Sequence, residues 1–251
     1  MNIWSEALRG LKEFEDLVEA VELGRCPAAA GGLNPVHKAH IAAALSERTG
    51  RPLFVLCPDD LEARRMAADL SAFMGEEVPV LPYREFVFHT TDVASREWEH
   101  ARISILSRMD RLRAVVASYD AVMIRTIPPK IMGRVAARIR PGDETGIDSL
   151  VDALIMAGYK RSAKVEGEGQ VSVRGGIVDF YSPGAEGPYR IEFFGDEIDT
   201  IYLFDPISQR RTTQLESAGI LPASETLPAH APGGIAGLIR SMEELISKTK
   251  G

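Results

Sequence analysis

Cysteine is almost absent from these 251 residues, with only Cys26 and Cys57, so no disulfide framework holds the fold. Both adjoin apolar runs and read as small buried hydrophobes in a reducing compartment, which places the protein in the cytoplasm. There is no uncharged apolar run near the roughly 20 residues a membrane span needs. The polar start, MNIWSEALRG, carries no apolar core of a secretory signal. An excess of positive charge is missing too: the net charge is −7, which argues against a surface that coats nucleic acid. Only five histidines occur, and His37 and His40, three apart, have no further His or Cys at metal-ligand spacing. They read as structural. Neither a Ser-His-Asp set, a Cys-His pair nor a pair of carboxylates stands out, so the chain is expected to carry no catalytic site.

What remains is an ordinary globular composition, 45% hydrophobic and 26% charged, in two differently patterned halves. In the first half helical and strand signals alternate. Leu8, Leu11, Phe14, Leu17, Val18 and Val21 predict one helix over 6–23, and another is predicted from Val36 to Arg48. LFVLC (53–57) has the continuous apolar character of a strand covered on both faces. Asp59 or Asp60 should cap a helix reaching Phe73 and ended by Gly75. VPVL, a long helix from about Asp92 to Leu112 and the strand AVVAS (114–118) complete the pattern. Strands separated by helices predict a parallel sheet with helices on both faces, an α/β domain over 1–140.

From 141 the period changes. A helix at 147–159 precedes short alternating segments broken by Gly and Pro, which predict a smaller antiparallel α+β domain over 141–219. Residues 220–251 form a loop-like return segment toward the first domain and a final helix, IAGLIRSMEELISK.

The stretch AGGLNPVHKAH (30–40) has the outline of a phosphate-binding loop. Such a loop reads G-x-x-x-x-G-K-[ST]: glycines expose backbone N–H groups, Lys neutralises phosphate, and the hydroxyl holds Mg²⁺. Gly32 and Lys38 fit, but His37 replaces the second glycine, Ala39 the hydroxyl, and Pro35 removes an N–H donor. The loop is degenerate and is not expected to bind nucleotide. Between Arg96 and Arg140 ten Lys/Arg face four Asp/Glu. That excess suits phosphate, an acidic partner or an acidic neighbouring domain, and equally a solvated helical face.

The most informative stretch is SVRGGIVDFYSPGAEGPYRIEFFGDEIDTIYLFDPISQR. Alternation in a strand from Tyr189 puts Tyr189, Ile191 and Phe193 on a core face, and Arg190, Glu192 and Phe194 on the other. In QVSVRGG, Val171 and Val173 point inward while Ser172 and Arg174 point outward, and Gly175–Gly176 suit a bulge or a close backbone approach. If the two strands pair, Arg174, Arg190 and Phe194 share one surface, and Arg and aromatic residues dominate protein–protein hot spots. A bulge in the strand, or a helix over Phe194, would remove that surface.

That run resembles the UvrB-interaction-type domain of the bacterial transcription-repair coupling factors, shared more distantly with UvrB. The upstream segment LPYREFVFHTTDVASREWEHARISIL is similar as well, and the resemblance covers essentially residues 1–251. Within the family, UvrB resembles this module but has an intact phosphate loop and a tyrosine-rich hairpin. Here His37 and Ala39 stand in the loop and Tyr83 is the one tyrosine in 81–100, which favours the coupling factors. The resemblance implies a non-catalytic module that recruits UvrA to RNA polymerase stalled at damaged DNA, through Arg174, Arg190 and Phe194. Contacts with RNA polymerase and DNA, and use of ATP and Mg²⁺, belong in that family to domains this sequence does not contain, so it is expected to be an excised or truncated module without a cofactor. The alternative is a nucleotide-dependent DNA-processing protein of the UvrB type using Lys38.

Overall fold

A computed structural model describes residues 3–83 and 96–249. In chain order the first elements are α1 (Ile3–Glu6), α2 (Lys12–Glu22), α3 (Pro35–Thr49), β1 (Leu53–Cys57), α4 (Asp60–Met74) and β2 (Val80–Leu81). Then come α5 (Glu97–Ser107), β3 (Ala114–Ser118), α6 (Tyr119–Met123), α7 (Pro129–Val135), β4 (Ala137–Ile139) and α8 (Ile147–Met156). The remainder is β5 (Lys160–Arg161), β6 (Gln170–Arg174), β7 (Ile177–Phe180), β8 (Tyr189–Phe194), β9 (Glu197–Phe204), β10 (Arg211–Leu215), β11 (Ala218–Ile220) and α9 (Gly234–Thr249). The described residues form two compact units, 3–83 with 108–125, and 96–107 with 126–249.

In the first unit β1, β3 and β2 lie parallel in that order, with Leu53 opposite Ala114 and Val80 opposite Val116. AVVAS is the central strand, and all five of its residues are buried. The alanines Ala39 and Ala43 of α3 and Ala63 and Ala67 of α4 bring these helices close to Cys57 and Val116. Asp59 caps α4, its Oδ1 accepting from Glu62 N at 2.8 Å, and Gly75 at φ +69° ends it.

Three expectations for this unit need correction. LFVLC is an edge strand with alternating burial: Phe54 and Leu56 are exposed while Cys57 is buried. A continuous apolar run shows that both faces tolerate burial, not that both are covered. The helix over 6–23 is two helices, separated where Gly10 takes φ +80°, and only Phe14 and Val18 of α2 are buried, against Ala44. Cys26 is exposed.

The second unit is built on a six-stranded sheet, β10-β9-β8-β7-β6-β5. Every pair is antiparallel except β5 with β6, so neighbours in sequence are neighbours in space, as the turn-rich alternation predicts. Leu150, Val151 and Leu154 of α8 pack on Val171, Val178, Phe180, Ile191, Ile198 and Ile201 of the inner face. β4 and β11 pair separately, antiparallel.

Helix α5, read from the sequence as part of the first domain and as starting at Asp92, packs in this unit instead; residues 84–95 lie outside the described ones. Polar anchors explain its place. Glu99 Oε1 accepts from Ser224 Oγ at 2.9 Å and Glu225 N at 2.7 Å. Arg102, fully buried, donates from Nε to Glu225 Oε1 at 3.2 Å, and His100 Nε2 donates to Ala223 O at 3.2 Å. Helix α9 has an exposed apolar stripe, including Ile235, Ile239, Met242 and Ile246.

Candidate functional site

Two tight hairpins bring the candidate residues together. The β6–β7 turn is Gly175-Gly176 and the β8–β9 turn Gly195-Asp196. In each, the first loop residue is a glycine with positive φ, +57° and +63°. Gly176 lies under β8, its carbonyl accepting from Phe193 N at 2.9 Å. Gly175 and Gly176 thus form the hairpin turn itself, and the irregularity in register lies between β8 and β9 at Glu192/Phe193. That irregularity leaves the alternation of β8 intact: Phe193 packs on the core and Phe194 opposes Glu197 on the outer side.

The outer face has Ser172 opposite Asp179, Asp179 opposite Arg190, and Arg190 opposite Tyr202. Arg174, Arg190 and Phe194 share it, but their surroundings differ. The Phe194 side is open, with the residue 83% exposed. Arg174 is half-exposed, its side chain at 45%. Arg190 is down to 11%, because its guanidinium is used inward. Nε and Nη2 donate to Asp179 Oδ1 and Oδ2, both at 2.8 Å, Nη1 donates to Gln209 O at 3.2 Å, and the cation lies 4.5 Å over the Phe204 ring. Arg174 Nη2 donates to Asp179 Oδ2 at 2.5 Å. The Asp179 hydrogen bonds push the Arg190 guanidinium above its usual range, against burial, so it stays charged.

Asp179, 1% exposed, is the residue that parity alone did not single out. Its signal is in the sequence: a carboxylate at the outward position of IVDF, in the strand between the two arginine strands. Beside this cluster Glu192 pairs with Arg211, which also lies 4.9 Å over the Tyr202 ring.

The other sequence candidates lie elsewhere. Gly32 sits in a loop at φ +72°, and residues 25–34 form no strand ahead of α3. His37, Lys38 and Ala39 are in the first turns of α3, with Ala39 fully buried against α4. A 560 Å³ groove beside this loop is lined mainly by Leu11, Phe14, Leu17 and Ala28–Ala30, with Glu13 and Asp16. His40 is held by structure, its Nε2 2.6 Å from Trp4 O and its ring stacked 4.8 Å from that of Phe73. The basic stretch 96–140 is divided between the two units, with Arg102 buried and Arg96 and Arg113 paired to Glu99 and Glu76.

An antiparallel meander with one helix on its inner face, and a hairpin-borne cluster of cation, carboxylate and exposed ring on the other, defines a small α+β interaction domain. Residues 137–225 match the family model of the UvrB interaction domain and carry that domain. Over a longer stretch the chain is similar to the transcription-repair-coupling factor of Myxococcus xanthus, 34% identical over 232 residues, covering 87% of this chain and 19% of the relative. The transcription-repair-coupling factor of Bacillus subtilis (strain 168) is 29% identical over 218 residues, 86% of this chain and 18% of the relative. The UvrABC system protein B of Thermosipho africanus is 24% identical over 254 residues, 94% of this chain and 38% of the relative. The chain thus spans about a fifth of the length of those coupling factors. Among the described residues, no helix is long and apolar enough to cross a membrane.

Proposed function

We propose that this chain is a protein-binding module of transcription-coupled nucleotide excision repair that recruits UvrA, and that it has no catalytic role of its own. Its first unit serves as a scaffold carrying a degenerate phosphate loop at Gly32, His37, Lys38 and Ala39, and needs no cofactor. Contacts to RNA polymerase and DNA would lie in other parts of a longer, cytoplasmic coupling factor.

The observation that carries the reading is the placement of Arg174, Arg190 and Phe194 on one sheet face, with the phenyl ring 83% exposed. Single exposed apolar residues are common, but an exposed ring sharing a face with two arginines has the composition of a hot spot. Phe194→Ala is the clean test, because the ring packs on little of its own chain. In a titration against UvrA, affinity is expected to fall by about tenfold or more while the thermal transition stays near the parent's. Unchanged affinity would remove the face from the binding site.

A further inference from the structure

We infer that Asp179 is a positioning residue for the proposed partner contact: it pins Arg190 down on the outer face of the sheet and holds Arg174 out, on the face that carries Phe194, as the cation that meets the partner. This rests on the recruitment reading above. The two arginines are not equivalent. Arg190 places all three of its nitrogens on Asp179 and Gln209 and covers the Phe204 ring. Arg174 gives Nη2 to the same carboxylate oxygen that receives Arg190 Nη2, while 45% of its side chain faces solvent.

One carboxylate between two guanidiniums leaves one net positive charge in the cluster. Asp179 is closed off at 1% exposure and Arg190 at 11%, so that charge is expressed at Arg174. Phe194 lies on the same face, at the tip of the neighbouring hairpin. The complementary partner surface is therefore a carboxylate next to an apolar socket, with the acid meeting Arg174 and the socket taking the ring. Arg190, 11% exposed, is engaged mainly by Asp179 and Gln209, so Arg174 is the more available of the two cations.

The test is a double-mutant cycle in the whole chain, titrated against UvrA. Asp179→Asn and Arg174→Ala are each expected to weaken binding about tenfold. Asp179→Asn added to Arg174→Ala is expected to cost little more, because an orienting carboxylate has nothing left to orient. A general loss of fold would weaken binding in both backgrounds alike, so losses that multiply overturn the inference, as does a folded Asp179→Asn chain with parental affinity. A parent chain with no affinity for UvrA would sink the recruitment reading itself, and this inference with it. Should Asp179→Asn not fold, the parent carries the test by nuclear magnetic resonance of its arginine side chains. Arg174 is then expected to show hindered guanidinium rotation in the free chain, and freely averaged signals overturn the inference.

Discussion

At the scale of single residues, the cluster around Asp179 separates two roles that share one face. A buried carboxylate with paired guanidiniums is stable as a set and costly to break, because removing one member strands a charge away from water. Arg190→Glu would set a second carboxylate against Asp179, whose oxygens now lie 2.8 Å from the Arg190 nitrogens. The change is expected to destabilise the protein by about 3–5 kcal/mol, seen as a lower midpoint in chemical denaturation. A midpoint equal to the parent's would show that Arg190 is not held inside. Loss of binding in that variant reports on folding as well as on contact, whereas Phe194→Ala keeps the two apart.

At the scale of elements, the positions of Arg174 and Phe194 depend on two hairpin tips. Each tip turns on a glycine in the left-handed region, Gly175 and Gly195. Around Gly195 an added Cβ meets nothing within 4 Å, so a side chain is opposed by backbone strain and not by crowding. Gly195→Val is expected to cost about 1–2 kcal/mol, and Gly195→Asn clearly less, since Asn tolerates positive φ. Thermal melts of the two variants check the order. An equal loss in both would point to a contact at the tip instead of a dihedral. The same element scale explains β1: as an edge strand, its outward Phe54 and Leu56 stay exposed although its sequence matches a fully covered strand.

At the scale of the whole molecule, the chain order and the spatial units diverge, because α5 lies between β2 and β3 in sequence yet packs in the second unit. Its buried polar side chains make that unit's stability depend on pH. Burial pulls the His100 imidazole below its usual value, against the opposing pull of Glu168, so it is neutral when folded. The unfolded chain binds a proton near pH 6.5 that the folded chain binds only at lower pH. Stability from this group is therefore full above about 6.5 and is lost as pH falls through the interval down to the folded value. Denaturation midpoints are expected to decline as pH drops below 6.5, and His100→Gln to flatten that part of the curve. A His100→Gln profile parallel to the parent's would show that other groups set the slope. Glu99 behaves differently: burial raises its carboxyl, but hydrogen bonds from Arg96, the Glu225 amide and Ser224 outweigh that and leave it lowered.

Local rules settle much of this protein. Asp59 and Gly75 bound α4 because a cap and a left-handed stop act within a few residues. The meander β6–β10 follows from period-two alternation with glycine-rich breaks, and the same parity puts Arg174, Arg190 and Phe194 on one side. Parity states which way a side chain leaves the strand; it does not state what covers that side. Only the tertiary structure decided that Arg190 is closed in by Gln209 and Phe204 while Phe194 stays open, that Asp179 joins the two arginines, and that α5 belongs with residues 223–225. Those outcomes depend on groups far apart in sequence meeting in space, where burial and pairing, not propensity, set the energy.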